Sequence, residues 1–162
     1  MTKKVLLLIT LLLPLSLTGC GQNGDSNEEA LRGKVSKIMI YQEGNAYSVA
    51  SDEPIFEKIV DTAEEALVEV NDIYKGIDET ATYTKTGQTL MLELSEAKPL
   101  AIGDQSGDKI PVRHVVIPLS GKYYEEDQLI MAGNSAQFLN MYKTDKGPLH
   151  ELQELAGQAL SK

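Results

Sequence analysis

This 162-residue chain has one cysteine, no tryptophan, two phenylalanines and two histidines. A single thiol excludes any intramolecular disulfide, so packing alone must hold the fold. Two histidines leave little scope for imidazole-based metal or acid–base sites. Basic residues are also scarce, with fifteen Lys and Arg against twenty-four Asp and Glu, for a formal charge of −9. That balance argues against nucleic acid as a partner and against lying flat on anionic lipid. Hydrophobic content of 42% is ordinary for a globular domain, which excludes a wholly disordered body.

The one long apolar run lies at the start, in "MTKKVLLLITLLLPLSLTGC". Lys3 and Lys4 supply a positive n-region, and Val5 through Leu13 supply an apolar stretch interrupted only by Thr10. A spanning helix needs about 20 apolar residues, so this pattern reads as a removed signal. The run ends in Leu17-Thr18-Gly19-Cys20, which resembles the lipobox of bacterial lipoproteins. The resemblance implies cleavage between Gly19 and Cys20 and a thioether from the Cys20 sulfur to diacylglycerol. It places the protein on the outer face of the cell membrane, where two acyl chains suffice for stable attachment. Cleavage would remove Lys3 and Lys4 and no acid, taking the charge to −11 over 143 residues.

Residues 1–19 are therefore read as signal peptide, 20–33 as lipidated cysteine and tether, and 34–162 as one domain. "GQNGDSNEEALRG" is rich in Gly, Asn, Ser and acids. Such a tether holds a domain about 20 Å from its anchor on average, and about 45 Å at full stretch.

The body reads as α+β: one mainly antiparallel sheet, with a helix in its N-terminal half and a C-terminal helix packed on it. "KVSKIMIYQ" (34–42) alternates as a strand, with Ile38 and Ile40 on one face and Met39 and Tyr41 on the other. "EGN" turns the chain into a short second strand at 46–51. "SDEPIFEKIVDTAEEALVEVND" carries Ile55, Ile59, Ala63, Ala66, Leu67 and Val70 at helical spacing, widened by Phe56 and Val60. Ser51 or Asp52 is the expected cap, Pro54 fits the first turn, and Gly76 marks the end or the loop after it. Glu57, Lys58, Asp61, Glu64 and Glu65 should face solvent. Strands are then expected at 81–85 and 88–95, joined at Thr86-Gly87, with Leu90, Leu92 and Leu94 inward and Met91 outward. A short strand at 98–104, one at 109–120 whose ends Pro111 and Pro118 pin toward edge or irregular positions, and two at 128–133 and 136–142 follow. The last helix shows Leu149, Leu152, Leu155, Ala156 and Ala159 as its stripe.

These segments, with the lipobox, resemble small lipoproteins of Gram-positive bacilli. The shared features are patterns of hydrophobicity, so the resemblance implies no reaction and carries over no active residue.

Chemical signatures are thin. Ser95-Glu96-Ala97-Lys98 and Ser106-Gly107-Asp108-Lys109 fit S-x-x-K, and Lys85-Thr86-Gly87 fits K-T-G. The triplet precedes both serines, no S-D-N is present, and neither serine opens a helix, so coincidence is the better reading. No G-x-S-x-G elbow occurs. His150 and Glu154 stand at i, i+4 beside Glu151, but a metal needs a third ligand fixed elsewhere, and a solvated helix face is the simpler account. His114 reads as a half-buried strand residue. Asp104 to Asp108 could touch Ca²⁺ yet lacks the EF-hand ligand series, which leaves a polar loop. "YYEED", Tyr123, Tyr124, Glu125, Glu126 and Asp127, is the one candidate binding stretch, because aromatic faces and acids together attract cations. As an ordinary hairpin end it would place one tyrosine inward and one outward. No catalytic residue, metal or cofactor is assigned.

The preferred reading is a lipid-anchored extracytoplasmic module that binds an envelope protein, an envelope polymer or a cationic ligand. One rival is a small envelope enzyme with a carboxylate acid–base pair. The other is a substrate-binding lipoprotein of a transporter, which would require a deep pocket.

Overall fold

The computed structural model describes residues 31–74, 87–103, 109–136 and 138–162. The signal, Gly19, Cys20, Gly76, the expected strand at 81–85, Lys85-Thr86 and the 104–108 loop lie outside the described residues. Seven strands form one antiparallel sheet: β1 (Val35–Gln42), β2 (Asn45–Val49), β3 (Asp72–Ile73), β4 (Gln88–Leu100), β5 (Ile110–Pro118), β6 (Leu129–Ser135) and β7 (Phe138–Lys143). Their order across the sheet is β2-β1-β4-β5-β6-β7-β3. Helices α1 (Pro54–Val68) and α3 (Lys146–Leu160) contact each other, and a four-residue helix α2 (Lys122–Glu125) joins β5 to β6. The architecture is α+β, as the alternation of strand and helix periods implies.

The core follows from periodicity. Ile38 and Ile40 of β1, Leu90, Leu92 and Leu94 of β4, Val115 and Ile117 of β5, and Ile130 and Ala132 of β6 form one cluster with α1 and α3. From the helices come Ile59, Ala63 and Ala66, and Leu149, Leu152 and Ala156, all fully buried. Burying one such leucine or isoleucine contributes about 1.5–3 kcal/mol, which is how a chain without disulfides holds together.

Several boundaries differ from expectation for identifiable reasons. α1 is preceded by Glu53, not Ser51 or Asp52, with Pro54 at its first position. It stops at Val68, because Asp72 and Ile73 leave to pair with Lys143 and Tyr142. Glu64 is 8% exposed, not solvated, and accepts a hydrogen bond from the Leu31 N–H at 3.4 Å. Leu31 is fully buried and Arg32 pairs with Asp61 at 2.7 Å, so packing begins ahead of residue 34. The strand expected at 98–104 is the continuation of β4 past a register shift between Glu93 and Lys98. β5 is central in the sheet, and of the two positions that its prolines allowed, edge or irregular, its ends take the irregular one. Its prolines are tolerated because β6 pairs only with His114 to Val116, so Pro111 and Pro118 face no ladder bond on that side. Gly103 sits at φ +64, donates to the Leu67 carbonyl at 3.0 Å, and would place a Cβ 2.3 Å from the Val70 oxygen.

Candidate functional site

The acid–tyrosine stretch lies in the connection between the antiparallel neighbours β5 and β6, a hairpin end that carries the short helix α2. Tyr123, Tyr124 and Glu125 belong to α2, and Glu126 follows it. The helix turns Tyr124 into the core, 4% exposed, and Tyr123 toward the opposite face of the sheet. Glu125 and Glu126 stay exposed and Asp127 is half-buried. The five residues therefore do not converge on one ligand.

What Tyr124 does meet is α3. Lys146, His150 and Gln153 recur at i, i+4 and i+7, which puts them on one helical face. With Tyr124, Glu125 and Gly147 they line an open groove of about 540 Å³. The hydrogen bonds at its floor fix one another. Gln153 Nε2 donates to the Leu119 carbonyl at 2.8 Å, because a carbonyl can only accept. That leaves Oε1 toward Tyr124, whose hydroxyl donates to it at 3.1 Å. The phenol has then used its only proton, so its contact with His150 Nδ1 at 3.3 Å requires the proton to sit on Nδ1. Nε2 of His150 lies 3.5 Å from Glu154, with both side chains more than 60% exposed.

Lys146 Nζ stands 5.6 Å from the centre of the Tyr124 ring. The aromatic face that a cationic ligand would seek is thus occupied by the chain's own ammonium. Burial raises the Tyr124 phenol above its ordinary range, and the charges of Glu125 and Glu154 push the same way. A buried phenol with a raised pKa holds its proton more firmly and is a poor general acid. The groove offers exposed charges of both signs over a fixed polar floor, a geometry for holding a ligand.

A second feature lies on the face of the sheet turned away from α1 and α3. Met39 pairs with Met91, Met91 with Val116, Val116 with Met131, and Met131 with Met141. One straight row across five strands thus holds every methionine except Met1. Val116 and Met131 are buried beneath the half-buried Met91, Tyr123, Leu139 and Met141. Nearby, His114 is half-buried, opposite Glu93 and Gly133, and its Nδ1 has no hydrogen-bond partner among the described residues. Sequence alone set Met39 on the face opposite Ile38 and Ile40 and Met91 outward, but not the row, because register is a property of pairing. Nor could spacing have found Lys146 or Gln153, which depend on α2 meeting α3.

Among the described residues no three His, Cys, Asp or Glu side chains cluster as metal ligands, and no helix is long and apolar enough to cross a membrane. Ser95 and Lys98 lie on β4, not at a helix start.

No known family matches the chain, and no curated protein matches it. Among solved structures it is similar to YycH from Bacillus subtilis, with a TM-score of 0.55 and 17% identity. The match covers 79% of this chain and 38% of that protein, so the chain spans well under half of its neighbour's length. At that identity the likeness shows a shared fold.

Proposed function

We propose that the protein is a lipid-anchored, extracytoplasmic interaction module of the bacterial cell envelope, held through Cys20 and acting by contact with an envelope protein. The observation that carries the reading is the methionine row. Methionine side chains are unbranched and polarisable, and surfaces rich in them adapt to apolar partners. The chain enters the domain on the other side, where Leu31 is buried in the helix-side core and Arg32 is paired to α1. The row therefore faces away from the point at which the tether joins. Acids crowd the exposed face of α1, with Glu57, Asp61 and Glu65 against Lys58, which favours contact through the sheet over contact through that helix.

A photo-crosslinking residue at Met91, compared with one at Glu57, tests this in cells. Position 91 should give a discrete adduct with an envelope protein, and position 57 should not. Equal labelling from both positions would refute it. The groove between α2 and α3 supports a second reading, capture of a small polar ligand, since about 300–1,000 Å³ is the usual size of such sites. Isothermal titration comparing the wild type with Lys146→Ala separates the two.

A further inference from the structure

β2 forms one margin of the sheet, and β1 is its partner there. The pair Gln42 and Asn45 closes the hairpin around Glu43 and Gly44, whose φ values of 49° and 83° are those of a type I′ turn. In a two-residue hairpin the closing pair exchanges both hydrogen bonds, and bonded pairs alternate along the strands. Asn45, Tyr47 and Val49 therefore direct their backbone groups to Gln42, Ile40 and Ile38. Ala46 and Ser48 direct theirs outward. Two N–H and two C=O groups stand in a line at an edge that no other described strand covers.

Natural edges are blunted by charge, proline, a bulge or a covering element. "NAYSV" has no charge and no proline, and its pairing with β1 shows no register shift. Four of its five residues are exposed, and Tyr47 at 47% is among the most exposed large hydrophobic side chains of the described residues. The opposite margin is unlike it, since β3 has only two residues and begins with Asp72. In a chain of formal charge −9, an uncharged strand is where two like-charged copies can approach without repulsion.

The geometry points to antiparallel pairing of β2 with β2 of a second copy, about a two-fold axis at Tyr47. In that register Ala46 lies opposite Ser48 of the other copy, and Ser48 opposite its Ala46. The four outward groups on each side are all satisfied, giving four intermolecular hydrogen bonds. The two Tyr47 residues face each other as a non-hydrogen-bonded pair, where Cα atoms are about 4.5 Å apart and side chains come closest. Glu43 falls opposite Ser51, so no acid meets an acid. Such a contact buries less than the roughly 1,000 Å² of a stable interface, so it is weak in dilute solution. Confinement of copies to one surface raises their effective concentration, which is where the pairing becomes populated.

The test uses the full-length processed protein reconstituted in phosphatidylethanolamine–phosphatidylglycerol vesicles, with disulfide formation as readout. Tyr47→Cys should cross-link to dimer at least tenfold faster than Asn45→Cys, which sits opposite Val49 rather than itself. Wild type reports on the Cys20 sulfur alone, so a failure of the anchor reading is visible separately. In the Tyr47→Cys background, Ala46→Glu with Ser48→Glu sets like charges across the axis and should abolish the dimer. Ala46→Lys with Ser48→Glu sets opposite charges there and should keep it. Equal rates at positions 47 and 45, or the same response from both charge pairs, would overturn the proposal.

Discussion

The hydrogen-bonded chain under the groove makes a quantitative prediction for Tyr124 and Gln153. Tyr124→Phe keeps the buried ring and removes the hydroxyl, leaving Gln153 Oε1 without its donor at 3.1 Å. A net hydrogen bond is worth about 0.5–1.5 kcal/mol, and a stranded polar group costs up to about 3 kcal/mol. His150 and Oε1 both retain some access to water from the open groove, so a loss of about 1–2 kcal/mol is expected. Gln153→Leu removes two bonds at once and strands both the Leu119 carbonyl and the Tyr124 hydroxyl. Its cost should be about 2–3 kcal/mol. Because the variants share a bond, the double variant should cost about 1 kcal/mol less than their sum. Urea unfolding of all four proteins gives the cycle, and equal slopes would confirm that stability alone has changed. Additive losses would refute the network. So would a His150 proton on Nε2 in long-range ¹⁵N correlation spectra of the native protein at alkaline pH, because the chain from Leu119 through Gln153 and Tyr124 permits only Nδ1.

Other outcomes follow from packing and titration. Leu152→Ala, in a fully buried site between α3 and the sheet, should lose about 2–5 kcal/mol in the same assay. Gly103→Ala should lower the melting temperature by several degrees in a calorimetric scan, since a Cβ at φ +64 would stand 2.3 Å from the Val70 oxygen. The Tyr124 phenol has a folded pKa raised above its ordinary value of 10.0 by burial. Between those two values the folded state holds a proton that the unfolded chain has released, so stability falls as pH rises. Tyr124→Phe should flatten that alkaline decline in denaturation midpoints taken from pH 9 upward. Tyr142, raised likewise by burial, should leave a residual slope.

The parts of the fold that sequence made legible are those in which one period decides the outcome. Ile38, Ile40, Leu90, Leu92 and Leu94 alternate, and each lands fully buried. Ile59, Ala63, Leu149, Leu152 and Ala156 recur at helical spacing and face the same core. Periodicity failed where a tertiary partner overrode it. α1 gave up its last turn because Asp72 and Ile73 found β7, and the acid face lost Glu64 to the Leu31 amide. Prolines at 111 and 118 allowed edge or irregular ends, and the sheet takes the second, since β5 is central but its ladder to β6 spans only three residues. The groove was half visible. "YYEED" drew attention to Tyr124, but nothing local distinguishes its buried, Lys146-covered ring from the outward Tyr123. The methionine row needed four registers at once, and no spacing rule supplies those.

The envelope reading rests most heavily on the fate of Cys20. Intact-mass and N-terminal peptide mass spectrometry of the protein purified from membranes of the native host tests it directly. The expected product begins at Cys20 and carries the mass of a diacylglyceryl thioether, and Cys20→Ser should remain unprocessed. A polypeptide that still begins at Met1, with an unmodified thiol at Cys20, would contradict the account.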